Sequence, residues 1–201
     1  FPDEADAPAT PKLTVSQPGV KINAGGSATE TSYQIAAPTT TITLDEITDE
    51  TGKVLDTQGD LAMTDLTANY LVSRDGETTV LDTSFGAKSA VLTFSGQDPE
   101  ASSGGKAVVS FADLTGTTKG NFLNAEMMAN MATALNSGFT MDSAFSFGAL
   151  SMDFDITEAT GPTKLVANAT GGGFVLAMNK AEMTYGTSLQ GAKFLVSGAE
   201  I

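Results

Sequence analysis

Carboxylate side chains are the groups in this sequence best suited to chemistry, and they crowd two stretches. The first holds Asp45, Glu46, Asp49, Glu50, Asp56 and Asp60, and the second holds Asp153, Asp155 and Glu158. Carboxylate oxygens suit Ca²⁺, and two carboxyls across a cleft can hydrolyse a glycosidic bond when burial raises the pKa of one. The sequence has neither the D-x-[DN]-x-[DN]-G calcium loop nor glycine–aspartate nonapeptide repeats. We therefore predict no metal site and no catalytic residues among these acids.

Other catalytic chemistries are disfavoured by the residues that the chain lacks. With 0 His and 0 Cys, it has neither the commonest general base nor a thiol nucleophile. It contains no G-x-S-x-G motif, and Lys88 and Ser89 are merely adjacent. The glycine-rich segments at 25–26, 104–105 and 171–173 match no phosphate-binding loop, and turns explain them better. The sequence therefore predicts a protein that is not an enzyme and needs no cofactor.

The chain is acidic, with 24 Asp and Glu residues against 10 Lys and Arg residues and a formal net charge of −14. Nucleic acid is bound by clustered Lys and Arg, so this charge argues against a nucleic-acid partner. It argues equally against unassisted adsorption to an anionic membrane. No apolar run approaches the ~18 residues that a transmembrane helix needs. The acidic start at residues 1–4 does not resemble a signal peptide, so we expect any signal to lie outside this sequence.

Short runs of alternating apolar and polar residues predict strands along most of the chain. After a proline-bearing lead-in or linker at residues 1–11, we expect residues 12–201 to form a single β-rich domain. The alternation changes phase between Met63 and Leu66 and again at Gly148 and Ala149, which is what an extra residue, a β-bulge, produces. The spacing of the runs favours an antiparallel meander of hairpins.

A weak internal repeat accompanies this pattern. Leu61-Ala62-Met63 begins nine residues before Tyr70, and Leu176-Ala177-Met178 begins nine residues before Tyr185. The two stretches are consistent with two similar halves on either side of the helix near residues 124–136. Chance explains the match equally well, because alternation alone makes strand segments look alike.

One stretch, Asn124–Asn136, has the periodicity of an amphipathic helix. Its apolar stripe, spaced near 3.6 residues, consists of Leu123, Met127, Met128, Met131 and Leu135. Asn124 suits the first cap position, and Gly138 suits a left-handed residue that ends the helix. A Met-rich stripe is compatible with a binding surface, but packing of the helix on the sheet is the simpler interpretation.

Apolar side chains carry the remaining candidate function. A helix of about thirteen residues spans only ~20 Å, which is too short to cover the apolar face of a sheet of many strands. A closed barrel, a second sheet, or an open half-barrel that accepts an apolar ligand would each solve this problem. We expect a curved antiparallel meander, barrel-like or half-barrel, with the helix packed on it. The candidate ligand-binding residues are Met127, Met128, Met131, Phe145, Phe147, Met152, Phe154, Phe174 and Met178.

The C-terminal part of the chain resembles a known family. The residues that carry the resemblance are the stretch Met127–Phe139, then Phe145–Gly148, Met183–Gly186 and the ending Val196–Ile201. Their order is similar to that in the DUF2125 proteins of alphaproteobacteria, especially Rhodobacter relatives, and the similarity covers about residues 120–201. The resemblance implies an internal fragment of a longer periplasmic or envelope protein whose precursor carries a signal peptide. It transfers no functional residue, because no catalytic motif defines that family.

Three functions remain open from the sequence. The first is a non-enzymatic envelope domain that binds a lipid or another apolar ligand between helix and sheet, a carrier role suggested by fold-level analogy alone. The second is a structural or protein-interaction module of a longer envelope protein, with no ligand pocket. The third is a hydrolase that uses carboxylates, which would require buried acids facing a cleft.

Overall fold

A computed structural model describes residues 11–47, 54–75, 78–98, 103–122, 130–158 and 161–198. These residues form twelve strands and one short helix. The elements in chain order are β1 (Lys12–Ser16), β2 (Lys21–Gly26), β3 (Glu30–Glu46), β4 (Asp56–Asp75), β5 (Thr78–Asp98), β6 (Ser103–Phe122), α1 (Met131–Asn136), β7 (Thr140–Phe147), β8 (Ala149–Glu158), β9 (Gly161–Ala169), β10 (Gly171–Met178), β11 (Met183–Gln190) and β12 (Lys193–Gly198).

All twelve strands belong to one antiparallel sheet, which confirms the predicted β-rich class. Strands β1 and β2 both pair with β3, so together they form the first of eight long rows. Strands β3, β4, β5 and β6 follow as single rows. The last three rows are β7 with β8, β9 with β10, and β11 with β12. Each row pairs with the next along the chain, as in the predicted meander.

The expected barrel or half-barrel is wrong, because the sheet is neither closed nor strongly curled over the described residues. Closure requires the first and last rows to pair with each other. Here β1 and β2 pair only with β3, while β11 pairs with β10 and β12 with β9. Over the part of the chain that the structure describes, the sheet is therefore open, with an unpaired edge on either side.

An irregularity crosses the sheet at one level, and we call it the irregular line. In β3 to β6 the ladder skips the residues Pro38, Asp65, Lys88 and Asp113, which stand opposite one another in consecutive strands. Asp65 and Asp113 adopt positive φ angles of 50°. The line continues through Gly148, Thr170 and Gly191, where the last three rows are each divided into two strands. The predicted phase changes near Met63 and Gly148 lie on this line.

The irregular line gives the sheet one apolar face throughout. Residues paired directly across an antiparallel ladder lie on the same face, so the register places Leu61 and Phe111 together on one side of the line, and Tyr70 and Phe147 together on the other. The rings of Phe111 and Phe147 meet across the line, with centroids 5.5 Å apart. Both halves of the face therefore point to the same side of the sheet. We call this side the apolar face and the opposite side the polar face.

The buried core of the described residues is small. Five of its apolar members lie in strands and are all alanines, Ala37, Ala87, Ala90, Ala167 and Ala169. The chain exposes 13366 Å² to solvent, whereas a compact chain of its mass exposes roughly 8,900 Å². Larger apolar side chains on the strands, such as Phe85 and Leu92, stay 45% and 46% exposed. The sheet is thus a single layer whose apolar face lacks a second layer among the described residues.

The helix differs from the prediction in length and in position. Asn130 has extended backbone angles and accepts a hydrogen bond from the Thr133 N–H, so it caps a helix that begins at Met131. A continuous helix over Asn124–Asn136 is therefore wrong, and residues 124–129 lie outside the described residues. Six residues span only ~9 Å, so α1 by itself can cover only a small part of the sheet.

The end of the helix agrees with the sequence. Gly138 takes a φ of 97°, as predicted for a residue that ends the helix in a left-handed conformation. The Gly138 N–H donates to the Leu135 carbonyl at 3.2 Å, and the Phe139 N–H donates to the Ala134 carbonyl at 3.0 Å. These two bonds form a Schellman motif, which explains why the helix stops before β7.

Candidate binding surface

The register places most of the predicted ligand-binding residues on the apolar face. Phe145, Phe147, Phe174 and Met178 lie on one side of the irregular line, and Met152 and Phe154 lie on the other. Met131 belongs to α1, and its side chain is exposed. Met127 and Met128 lie outside the described residues. The sheet thus brings six of the nine predicted residues to one surface, and their role in binding stays a prediction.

Four phenylalanine rings form a chain across the middle of the apolar face. The ring of Phe85 stacks near Phe145 at 6.3 Å, Phe145 lies 6.4 Å from Phe147, and Phe147 meets the edge of Phe111. Glycines in the neighbouring strands leave room for two of these rings. A Cβ atom at Gly116 would come within 2.0 Å of the Phe85 ring, and one at Gly172 within 2.4 Å of the Phe147 ring. The rings therefore lie flat over glycine backbone.

An open cavity of ≈ 770 Å³ lies where β4, β5, β6 and β8 end, on the side of the irregular line that contains Phe154. Its apolar walls include Phe94, Ala107, Phe154 and Ile156 together with Val54 and Leu55 from the segment before β4. Gly96 and Gly105 are also part of the lining. This volume is in the range of small-molecule sites, roughly 300–1,000 Å³. The cavity is the most concave part of the apolar face that we find in the described residues.

The sequence reasoning found Phe154 but missed Phe94, Ile156 and Leu55 as members of this cavity. Phe94 alternates with Leu92 and Ala90 in β5, so its place on the apolar face was readable from the sequence. The sequence could not predict that Phe94 lies near Phe154, because this depends on β5 and β8 pairing with opposite sides of β6. Leu55 lies just before β4, where no alternation marks it.

Asp153 and Asp155 of the second acidic cluster lie on the polar face, as the alternation predicted, whereas Glu158 lies at the end of β8 among the residues that line the cavity. Lys164 lies 3.0 Å from an Asp153 carboxylate oxygen and 3.5 Å from an Asp155 carboxylate oxygen. A further ion pair on this face joins Lys119 to Asp82 at 3.3 Å. Exposed pairs of this kind contribute little to stability, typically about 0–1 kcal/mol. The Asp153 and Asp155 carboxylates are therefore paired with Lys164 at a solvent-exposed surface.

The first acidic stretch is described only in part. Asp45 accepts a hydrogen bond of 2.6 Å from the Thr14 hydroxyl of the neighbouring strand, and Asp60 is exposed on the polar face. Asp49 and Glu50 lie outside the described residues. Within the described ranges, no group of three or more His, Cys, Asp or Glu side chains is arranged to hold a metal ion.

The Lys164 ion pairs lead to a prediction about alkaline pH. The hydrogen bond that Lys164 donates to Asp153, with the charges of Asp153 and Asp155, raises the pKa of Lys164 above its ordinary value of 10.5. A raised pKa in the folded state means that the stabilisation is fully present below pH 10.5 and is lost as the pH rises through the folded-state pKa. We expect the melting temperatures of the wild type and Lys164→Met to differ slightly at pH 9 and to converge near pH 12. A difference that grows with pH in paired thermal melts would contradict this.

No family model, curated protein or solved structure matches this chain. The resemblance to the DUF2125 proteins therefore stays a prediction, as does the division into two similar halves. The repeated segments do occupy different places, because Leu61 and Tyr70 lie on one strand whereas Leu176 and Tyr185 pair across a hairpin. Among the helices that the described ranges contain, none has the length and apolar character needed to cross a membrane.

Proposed function

We propose that the protein is a non-enzymatic binding protein that holds a lipid, through its acyl chain, on the apolar face of the sheet. The observation that carries this proposal is an apolar face that no second layer covers among the described residues. The resemblance to the DUF2125 proteins adds the location, which we propose to be the periplasm or the cell envelope.

The composition of the apolar face supports an uncharged ligand. Apart from residues at or next to the strand ends, such as Arg74 and Glu158, the residues that the register places on this face on either side of the irregular line are uncharged. Burying a charge against an acyl chain is costly, so a surface that binds such a chain must exclude charges. The charges of the strand interiors lie instead on the polar face, where Asp82, Lys119, Asp153 and Lys164 form ion pairs.

The shape of the apolar face supports a flexible acyl chain as the ligand. The cavity beside Phe94 and Phe154 offers a depression in which one end of an acyl chain fits. Beyond it, the Phe85 and Phe147 rings lie over Gly116 and Gly172, so these rings do not stand upright in the path of the chain. Burial of apolar area drives such binding at about 25 cal/mol per Å². Contact between the acyl chain and the phenylalanine rings along the apolar face would bury this apolar area.

A structural or protein-interaction module is the second candidate, and the size of the face favours it. Eight rows spaced ~4.8 Å apart and ~60 Å long present roughly 2,300 Å², which is far more than one acyl chain covers. Stable protein interfaces bury about 800 Å² per partner. A protein layer would cover the whole face, whereas a lipid would occupy a strip of it.

A binding experiment with two variants of β5 distinguishes these functions. The probe is a fluorescent fatty acid, 11-(dansylamino)undecanoic acid, added to protein purified from the periplasm without detergent. Phe94→Asp places a charge in the cavity and is expected to weaken binding at least tenfold, because the carboxylate would be desolvated by the chain. Val91→Asp is the matched control, since Val91 lies on the polar face of the same strand, and it should change the affinity less than twofold.

Native mass spectrometry followed by organic extraction completes the test. A stoichiometric lipid in the wild type that is absent from Phe94→Asp would support the proposal. If the wild type carries no lipid and binds no probe, or if both variants bind as the wild type does, the lipid-binding function is wrong. The interaction module would then be the better description.

A further inference from the structure

The sheet has two free edges, and they differ in character. We call β1 with β2 the N-terminal edge, and β11 with β12 the C-terminal edge. Each pairs with neighbours on one side only among the described residues, so its other side presents unpaired backbone N–H and C=O groups. Natural sheets protect such edges with charges, prolines or breaks, because an unprotected edge pairs with another strand.

The N-terminal edge has this protection. Lys12 and Lys21 stand at the starts of its two strands, and Pro18 lies in the break between them. The side chains of β1 alternate between apolar and polar, as in a strand with one solvent-exposed face. Leu13 and Val15 lie on the apolar face, and Thr14 and Ser16 lie on the polar face.

The C-terminal edge carries little charge, and its strand β12 has apolar side chains on both faces. Lys193 is the one charged residue within β11 and β12. Phe194 and Val196 lie on the apolar face and are 71% and 62% exposed. Leu195 lies on the polar face opposite Val166, and it is 64% exposed. A strand with apolar side chains on both faces is typical of the interior of a sheet.

We propose that β11 and β12 pair antiparallel with the same two strands of a second copy of this chain. A two-fold axis perpendicular to the sheet relates the copies, so both apolar faces point to the same side. The pairing doubles the width of the sheet and makes one continuous apolar surface. It closes after two copies, because the contact uses the same strands on both. It does not depend on the lipid proposed above.

Charge and composition favour a second copy as the occupant. Two chains of net charge −14 repel each other, so association is easiest along an edge whose strands carry a single charge, which is positive. Residues 1–10 of the same chain are unsuited to the edge, since they include Pro2 and Pro8 and three acids. Sixteen residues rising ~3.3 Å each along an edge ~10 Å thick bury roughly 500 Å² per partner, about 1,000 Å² in total. That area is at the lower limit of a specific interface, so we expect a micromolar dimer.

The test measures the oligomeric state of the full chain by analytical ultracentrifugation between 1 and 100 µM. We expect the wild type to be a dimer at the upper end of this range. Leu195→Lys adds a charge to the C-terminal edge and should raise the dissociation constant at least tenfold. Val15→Lys is the matched control, because Val15 is 60% exposed on the other edge, and this variant should remain dimeric. Circular dichroism melts of both variants establish that they are folded.

Any of the following results would contradict the proposed dimer. A monomeric wild type rules out the dimer, and dissociation by both variants indicates a contact of one edge with the other. Dissociation by neither variant indicates that the copies meet through another surface. Hydrogen exchange of the wild type gives an independent readout. Amides of β11 and β12 should become more protected as the protein concentration rises, while those of β1 and β2 should not.

Discussion

Deletion of Asp113 is expected to lower the melting temperature by about 10 °C or more. Asp113 is the residue of β6 on the irregular line, and it takes a φ of 50°. Side chains alternate with a period of two, so removing one residue turns half of the strand over. Phe111 and Val109 would then point to the polar face, while Ser110 and Lys106 would point to the apolar face. Strand β6 pairs with β5 on one side and with β7 and β8 on the other. The reversed side chains would therefore disturb three rows of the sheet, namely β6 and the row on either side of it.

A substitution at the same position is the control for this deletion. Asp113→Gly keeps the number of residues, and glycine adopts a positive φ without strain. We therefore expect its free energy of unfolding to stay within about 1 kcal/mol of the wild-type value. Urea unfolding followed by circular dichroism measures both variants. If the deletion variant is as stable as the wild type, the irregular line is not what maintains a single apolar face.

Gly172→Ala is expected to lower the free energy of unfolding by about 2–3 kcal/mol, the upper part of the usual range of roughly 1–3 kcal/mol for overpacking. A Cβ atom at Gly172 would lie 2.4 Å from the Phe147 ring and 2.8 Å from the Ser188 carbonyl oxygen. The ring is held by Phe111 and Phe145, and the carbonyl belongs to the β11 backbone. Both neighbours must therefore shift, which weakens the pairing of β10 with β11 and the aromatic chain together.

Gly25→Ala is the matched control, because Gly25 is also a strand glycine. A Cβ atom there would meet only the Ser32 side chain, at 3.2 Å, so we expect a change within about 1 kcal/mol. The double variant Gly172→Ala, Phe147→Leu should recover part of the stability lost by Gly172→Ala, since leucine vacates the space above position 172. If Gly172→Ala and Gly25→Ala lower the free energy of unfolding equally, the Phe147 ring does not pack against Gly172.

Much of the local structure could be predicted from the sequence. The alternation of apolar and polar residues predicted the strands and the solvent-exposed face of each, including the face on which Asp153 and Asp155 lie. The phase changes near Met63 and Gly148 were read correctly as irregularities. Gly138 was assigned correctly as the end of the helix, because a left-handed residue there needs no side chain. These features depend on neighbours in the chain, so the sequence contains the information directly.

The candidate site was predictable only as a set of residues. Phe145, Phe147, Met152, Phe154, Phe174 and Met178 share a face because each follows the alternation of its own strand. The cavity with Phe94 was not predictable, since it depends on β6 lying between β5 and β8. The long helix was predicted wrongly because Met131 and Leu135 keep the helical spacing of the preceding segment, although Asn130 caps a new helix there.

The amino-acid sequence by itself determined the β-rich class, the antiparallel meander and the separation of apolar from charged residues, because side-chain alternation and turn residues act over a few positions. Only the tertiary structure decided that the sheet stays open, that the irregularities align across it, and that the described residues leave the apolar face without a second layer. These properties follow from which strands pair and in which register, and they involve residues far apart in the chain. The same long-range pairing decides which edges remain free.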